Sequence, residues 1–142
     1  SEYYNKHYSD KTYIYEGIIP LLNNLKKKGV QLAVASNKPD QFTKEIITDL
    51  FGTEIFDFVQ GHKEGIPHKP DSRIIKEAMS FLAVSDKETV MIGDTNVDIK
   101  TGKNAGIRTI GCLWGFRDEY ELKEAGADYI VSNPADIFDI LT

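Results

Sequence analysis

The segment VMIGDTNVD, residues 90–98, runs three apolar residues into a glycine and then places two carboxylates, Asp94 and Asp98, four positions apart. A carboxylate at the end of an apolar strand suits a magnesium ion, which takes one or two carboxylates and completes its shell with waters and phosphate oxygens. Gly93 just before it lets another group approach the backbone closely. Asp98 can orient metal-bound water or accept hydrogen bonds from the loop. Both aspartates also fit a plainer role, because Asp is favoured at helix N-caps. Ser36-Asn37 ends a second apolar run, VQLAVA. A hydroxyl and free backbone N–H groups there can hold phosphate oxygens, or can simply form a turn ahead of Pro39. Lys69 stands in PHKP between Pro67 and Pro70, which stiffen the loop. A fixed ammonium suits a phosphate or a reacting carboxylate, although most lysines are merely solvated.

These residues need elements to hold them. Leu21, Leu22 and Leu25 share one face of a helix expected over residues 18–28, closed by Lys28-Gly29. Residues 30–35 read as a strand, and Pro39 opens a helix to about Leu50. Residues 56–60 read as a weaker strand. Ile74, Ile75, Ala78, Met79 and Leu82 give a helix over 70–82. Strands are expected over 89–93, 107–113 and 129–131, and helices over 97–105, 118–125 and 135–141. This alternation predicts an α/β fold with a parallel sheet covered on both faces. Ligands of such sheets bind beyond the carboxyl ends of the strands. Ser36-Asn37, His62, His68 and Lys69, Asp94, and the stretch 114–117 all follow strands, as that rule requires.

The chain has 142 residues and a net charge of −5, with 41% hydrophobic residues. That is enough for one domain with a real core. No basic stripe extends beyond Lys26-Lys27-Lys28, so nucleic acid is not the expected partner. No apolar run approaches the ~20 residues that cross a bilayer, and a cytoplasmic setting is expected. Cys112 is alone and lies in an apolar run, where it reads as a small core residue. His7, His62 and His68 lack zinc-ligand spacing.

Taken in order, Ser36 in LAVASNK, Lys69 in PHKPD and Asp94 in VMIGDTNVDIKTGKNAG resemble three motifs of the haloacid dehalogenase superfamily, in particular its phosphoglycolate phosphatase branch. The likeness continues through GIRTIGCLWGFR and EAGADYIVSNPADI and covers roughly residues 14–142. It implies a Rossmann-like three-layer core over 14–142, preceded by the end of a helical cap over 1–13. It also implies hydrolysis of a small phosphate monoester through an aspartyl-phosphate, with Mg2+ as cofactor. Ser36 would hydrogen-bond a phosphoryl oxygen with help from the Asn37 backbone. Lys69 would balance the charge of nucleophile and phosphoryl group, Asp94 would bind magnesium, and Asp98 would support that shell.

One part of the pattern is absent. The family's first motif, Asp-x-Asp-x-Thr, supplies the nucleophile, and no two aspartates of this chain stand two positions apart. The family places the strand bearing that motif at the centre of the sheet, between the strands ending at Ser36 and Asp94. The expectation is therefore a fragment of a longer phosphatase, inactive alone. Either an open slot separates those two strands, filled by the missing N-terminal segment or a second copy, or the strands close up and pair directly. A non-catalytic binding module on the same fold is the alternative. A receiver-type signalling domain fits less well, since it expects a carboxylate pair near its start.

Overall fold

Apolar spacing, caps and turns account for most of the elements of the computed structural model, which describes residues 14–115 and 118–142. The expected end of the cap, residues 1–13, and residues 116–117 lie outside the described residues. Helix α1, Ile18–Lys27, buries Leu21 and Leu25 and carries Lys26 and Lys27 in its last turn, where cations meet the negative end of the helix dipole. Strand β1 is Ala33–Pro39, α2 Asp40–Phe51, β2 Phe58–His62 and α3 Arg73–Leu82. A short 3-10 turn, Asp86–Glu88, leads into β3, Val90–Gly93, then α4, Asn96–Ala105, and β4, Arg108–Cys112. Helix α5, Glu119–Glu124, β5, Tyr129–Val131, and α6, Pro134–Leu141, complete the order.

Several boundaries differ from expectation for identifiable reasons. Residues 30–32 are not strand. The Asp57 carboxylate accepts the Leu32 N–H at 2.8 Å, and the Asp57 N–H donates to the Leu32 carbonyl at 2.7 Å. That side-chain bond holds the approach to β1, and it shifts β2 to start after Asp57. β1 instead runs on through Ser36 and Asn37 to Pro39, with its register against β2 broken between Ala35 and Pro39. Helix α3 starts at Arg73 rather than Pro70, because the Asp71 carboxylate takes the Arg73 N–H at 2.9 Å and forms a turn first. The turn at 86–88 was not foreseen; Ser85 and Glu88 cap it reciprocally.

Among the described residues all pairings are parallel, but the strands form two sheets rather than one. β1 pairs β2, with Ala33, Val34 and Ala35 opposite Phe58, Val59 and Gln60. β3 pairs β4 through Val90↔Arg108 to Gly93↔Gly111, and β4 pairs β5. Between β1 and β3 lies a cavity of about 580 Å3, lined by Val34 and Ala35 on one side and by Met91 and Ile92 on the other. The direct pairing of β1 with β3 therefore does not occur, and the open slot does. Its effect on burial is plain: β4 is buried from Thr109 to Cys112, whereas Ile92 on β3 is 38% exposed. The main core, Leu21, Leu25, Leu32, Ile110, Cys112, Val131 and Ile137, packs α1 and α6 over one face. A second cluster of Ile74, Ile75 and Ile107, with Ala35 and Met91 against it, covers the other.

Candidate active site

Lys69 links β1 to the helix that follows β3. Its Nζ donates to the Ala35 carbonyl at 3.0 Å and to Asp98 Oδ1 at 2.7 Å. The two side chains are only 10% and 14% exposed. One ammonium thus ties the rim of one sheet to the first turn of the helix that follows the other, across the end of the slot.

The loop that carries Lys69 is held from both sides. Asn37 Oδ1 accepts the Lys69 N–H at 2.7 Å, and Asn37 Nδ2 donates to the Lys69 carbonyl at 3.2 Å. On the other flank Asn104 Nδ2, in the last turn of α4, donates to the Pro70 carbonyl at 2.8 Å. The Asn37 side chain is therefore committed to the Lys69 backbone, a role that its place in a phosphate-binding pair did not suggest. Replacing Asn37 by Ala is expected to strand two polar groups at a cost of ~1–3 kcal/mol and to lower turnover of the full-length protein by up to about 10²-fold through displacement of Lys69. Thermal unfolding and a kcat–KM comparison check this; an unchanged kcat would show that the loop holds Lys69 without Asn37.

Thr95 caps α4, its side-chain oxygen accepting the Asp98 N–H at 3.2 Å. Neither aspartate is the N-cap, so the plainer reading of Asp94 and Asp98 does not describe them. Two glycines shape their surroundings. A Cβ at Gly93 would collide with the Asp98 side chain, and a Cβ at Gly115 would fall on the Asp94 carboxylate. Both carboxylates are thus packed against bare backbone, one in β3 and one in the loop after β4. Cys112 reports on the pair: burial first, then the charges of Asp94 and Asp98, push its thiol up to about 12. It is a buried, protonated core residue next to two acids. Cys112, Asp94, Asp98 and Trp114 line a second cavity of about 380 Å3 beside the slot, with Ile92 and Gly93. Trp114 is stacked on Tyr15, ring centroids 5.3 Å apart.

Ser36 Oγ accepts the Lys38 N–H at 3.1 Å, which leaves its own proton to donate. His62, at the end of β2, and His68, in the loop ahead of Lys69, stack face to face with ring centroids 3.6 Å apart. The donor set fits magnesium: two carboxylates, one of which has an oxygen engaged by Lys69, with room beside them for water and phosphate. The structure brings together Lys69 with Asp98 and, around Cys112, Asp94 with Asp98. Asn104 carries no sign of its role in the sequence, and Gly115 is marked there only as part of the strand-end stretch 114–117.

The model of the haloacid dehalogenase-like hydrolases matches residues 1–112. A phosphoglycolate phosphatase of Aquifex aeolicus is 31% identical over 99% of the chain, which spans 66% of that relative. A pyrophosphatase of Halalkalibacterium halodurans is 30% identical over 89% of the chain, spanning 59% of its own length. Among solved structures, one from Lactobacillus delbrueckii subsp. bulgaricus, named as a candidate phosphoglycolate phosphatase, superposes with a TM-score of 0.93 at 37% identity, covering 99% of this chain and 58% of that one. The chain therefore spans about three fifths to two thirds of the length of these three proteins. With its parallel α/β sheets and its ordered strand-end residues, the chain belongs to the haloacid dehalogenase-like hydrolases.

Proposed function

We propose that this chain is the larger part of a magnesium-dependent phosphatase for a small phosphate monoester of the phosphoglycolate kind, working through an aspartyl-phosphate on an aspartate outside residues 1–142. The observation that carries the reading is the Lys69 ammonium fixed at the end of the slot by Ala35 and Asp98. A nucleophilic carboxylate delivered at the end of a strand in that slot would meet Lys69. The ammonium would offset the charge of the carboxylate and of the phosphoryl oxygens, as a positional and electrostatic mechanism requires. Ser36 would donate its free proton to a phosphoryl oxygen, and the Asn37 backbone N–H would add a second donor. Asp94 would hold Mg2+, with Asp98 supporting that shell, and the ion when bound supplies positive charge to the phosphoryl oxygens.

The relatives carry two substrate names, phosphoglycolate and pyrophosphate, so a phosphate monoester is tested beside a diphosphate. The acidic chain, with net charge −5, supports neither nucleic acid nor membrane as a partner, and no helix among the described residues is long and apolar enough to cross a membrane. A cytoplasmic phosphatase is the setting proposed.

The full-length protein is expected to release phosphate from such esters only when magnesium or a similar divalent ion is present. Phosphate release is measured with and without excess chelator. Full activity in chelator would overturn the magnesium assignment, and no release from any small ester in magnesium would favour the non-catalytic module.

A further inference from the structure

We propose that Trp114, braced by Tyr15, is a positioning residue for Asp94: the stacked pair fixes the loop after β4, so that the Gly115 backbone holds the Asp94 carboxylate where it binds a divalent ion. The identity of the ion rests on the phosphatase reading above; the mechanical link rests on the loop.

The two acids of the site are held by different means. The Lys69 ammonium fixes the Asp98 carboxylate at 2.7 Å, and Thr95 takes the Asp98 N–H at 3.2 Å. Asp94 lies against bare backbone. A Cβ built on Gly115 would fall on its carboxylate, so a shift of residue 115 toward β3 displaces that carboxylate and a shift away removes its wall. The place of Gly115 is set by the loop that carries it. That loop leaves the sheet at Leu113, whose N–H donates to the Val131 carbonyl at 2.9 Å. Trp114 is the one residue between this anchor and Gly115. It packs against the main core cluster and stacks on Tyr15, with centroids 5.3 Å apart and ring planes 16° from parallel. An offset stack of this kind is a favourable aromatic geometry.

Tyr15 is a firm support for that ring. Its carbonyl accepts the Ile18 N–H at 3.1 Å. Gly17, two residues on, takes φ 93° at the N-cap of α1, a conformation that a side chain resists. A Cβ there would also press on the Pro134 ring at 3.3 Å. The turn that carries Tyr15 is thus wedged against the start of α6. Tyr15 itself is 39% exposed. Burial alone gives little reason for an aromatic ring at that place, and the stack on Trp114 gives one. Trp114 and Asp94 line the same cavity, and Trp114 is the single tryptophan of the 142 residues. The indole is therefore also an optical reporter of events at the carboxylate.

The test titrates the full-length protein with magnesium chloride alone and follows binding by calorimetry and by tryptophan emission. Trp114→Ala should weaken magnesium binding by about tenfold or more, the range typical of removing a group that orients a metal ligand. Tyr15→Ala, a milder change at a half-exposed position, should weaken it about two- to tenfold, the equivalent of one aromatic pair; it carries the test if Trp114→Ala fails to fold. Tyr15→Phe, which keeps the ring, should recover most of that loss. Magnesium should alter the Trp114 emission, read as the difference between the parent and Trp114→Phe, and in Asp94→Asn the same change should need more magnesium. Parent-like magnesium binding in Tyr15→Ala, with only a lower unfolding temperature, would overturn the proposal, because the stack would then be packing and nothing more. An equal loss in Tyr15→Phe and Tyr15→Ala would overturn it too. Weakened binding in Tyr15→Ala of a protein that hydrolyses no ester counts against the phosphatase reading and supports the positioning role. Magnesium-dependent turnover with parent-like binding in Tyr15→Ala does the reverse.

Discussion

Asp94→Asn in the full-length protein is expected to lower magnesium-dependent turnover by about 10²–10³-fold, the cost typical of removing one group that stabilises charge in a reacting site. The change is nearly isosteric, so the packing of the side chain against Gly115 survives. The start of α4 survives as well, because Thr95 and not Asp94 caps it. What changes is charge and one coordinating oxygen, so the magnesium concentration needed for half-maximal rate should rise together with the fall in kcat. Asp98→Asn is expected to act differently. Its Oδ1 is the partner of Lys69 at 2.7 Å, so the loss falls on a supporting contact, typically ~10–100-fold. Initial rates across a magnesium titration separate the two. Equal, small effects with an unchanged magnesium requirement would remove Asp94 from the metal site.

Most of the layout that positions these groups was legible because it is local. Leu21 and Leu25 repeat at helical spacing, short apolar runs alternate with helices, and polar residues gather after strands. Four tertiary contacts had no local signature. Asn37 clamps Lys69 across 32 residues and Asn104 reaches Pro70 across 34, yet each asparagine reads alone as an ordinary turn or helix-end residue. Asp57 holds Leu32 from 25 residues away and so displaces the start of β1, while the apolar pattern VQL by itself reads as strand. Gly115 looks like loop punctuation until the Asp94 carboxylate is seen against it. The slot is a different case. Periodicity cannot order strands in a sheet, and the gap was foreseen only through the family resemblance, which places a strand between those ending at Ser36 and Asp94.

Lys69→Ala should produce the second large effect, and on two readouts rather than one. The ammonium and the Asp98 carboxylate are 10% and 14% exposed, so deleting the lysine leaves a largely buried carboxylate without its cation. Breaking such a pair from one side typically costs ~3–5 kcal/mol, a large part of the ~5–15 kcal/mol by which a domain is stable. Turnover of the full-length protein should fall by about 10²–10³-fold, since a fixed positive charge at the reacting phosphate is lost. A double variant, Lys69→Ala with Asp98→Ala, resolves the two effects. Removing both charges relieves the stranded carboxylate, so stability by thermal unfolding should recover toward the parent, with a coupling of the kind that contacting residues show. Turnover should not recover, because neither the ammonium nor the carboxylate is present. If instead the single variant unfolds like the parent and keeps its kcat at saturating substrate, Lys69 is a solvated lysine whose contacts with Ala35 and Asp98 carry no weight in the site.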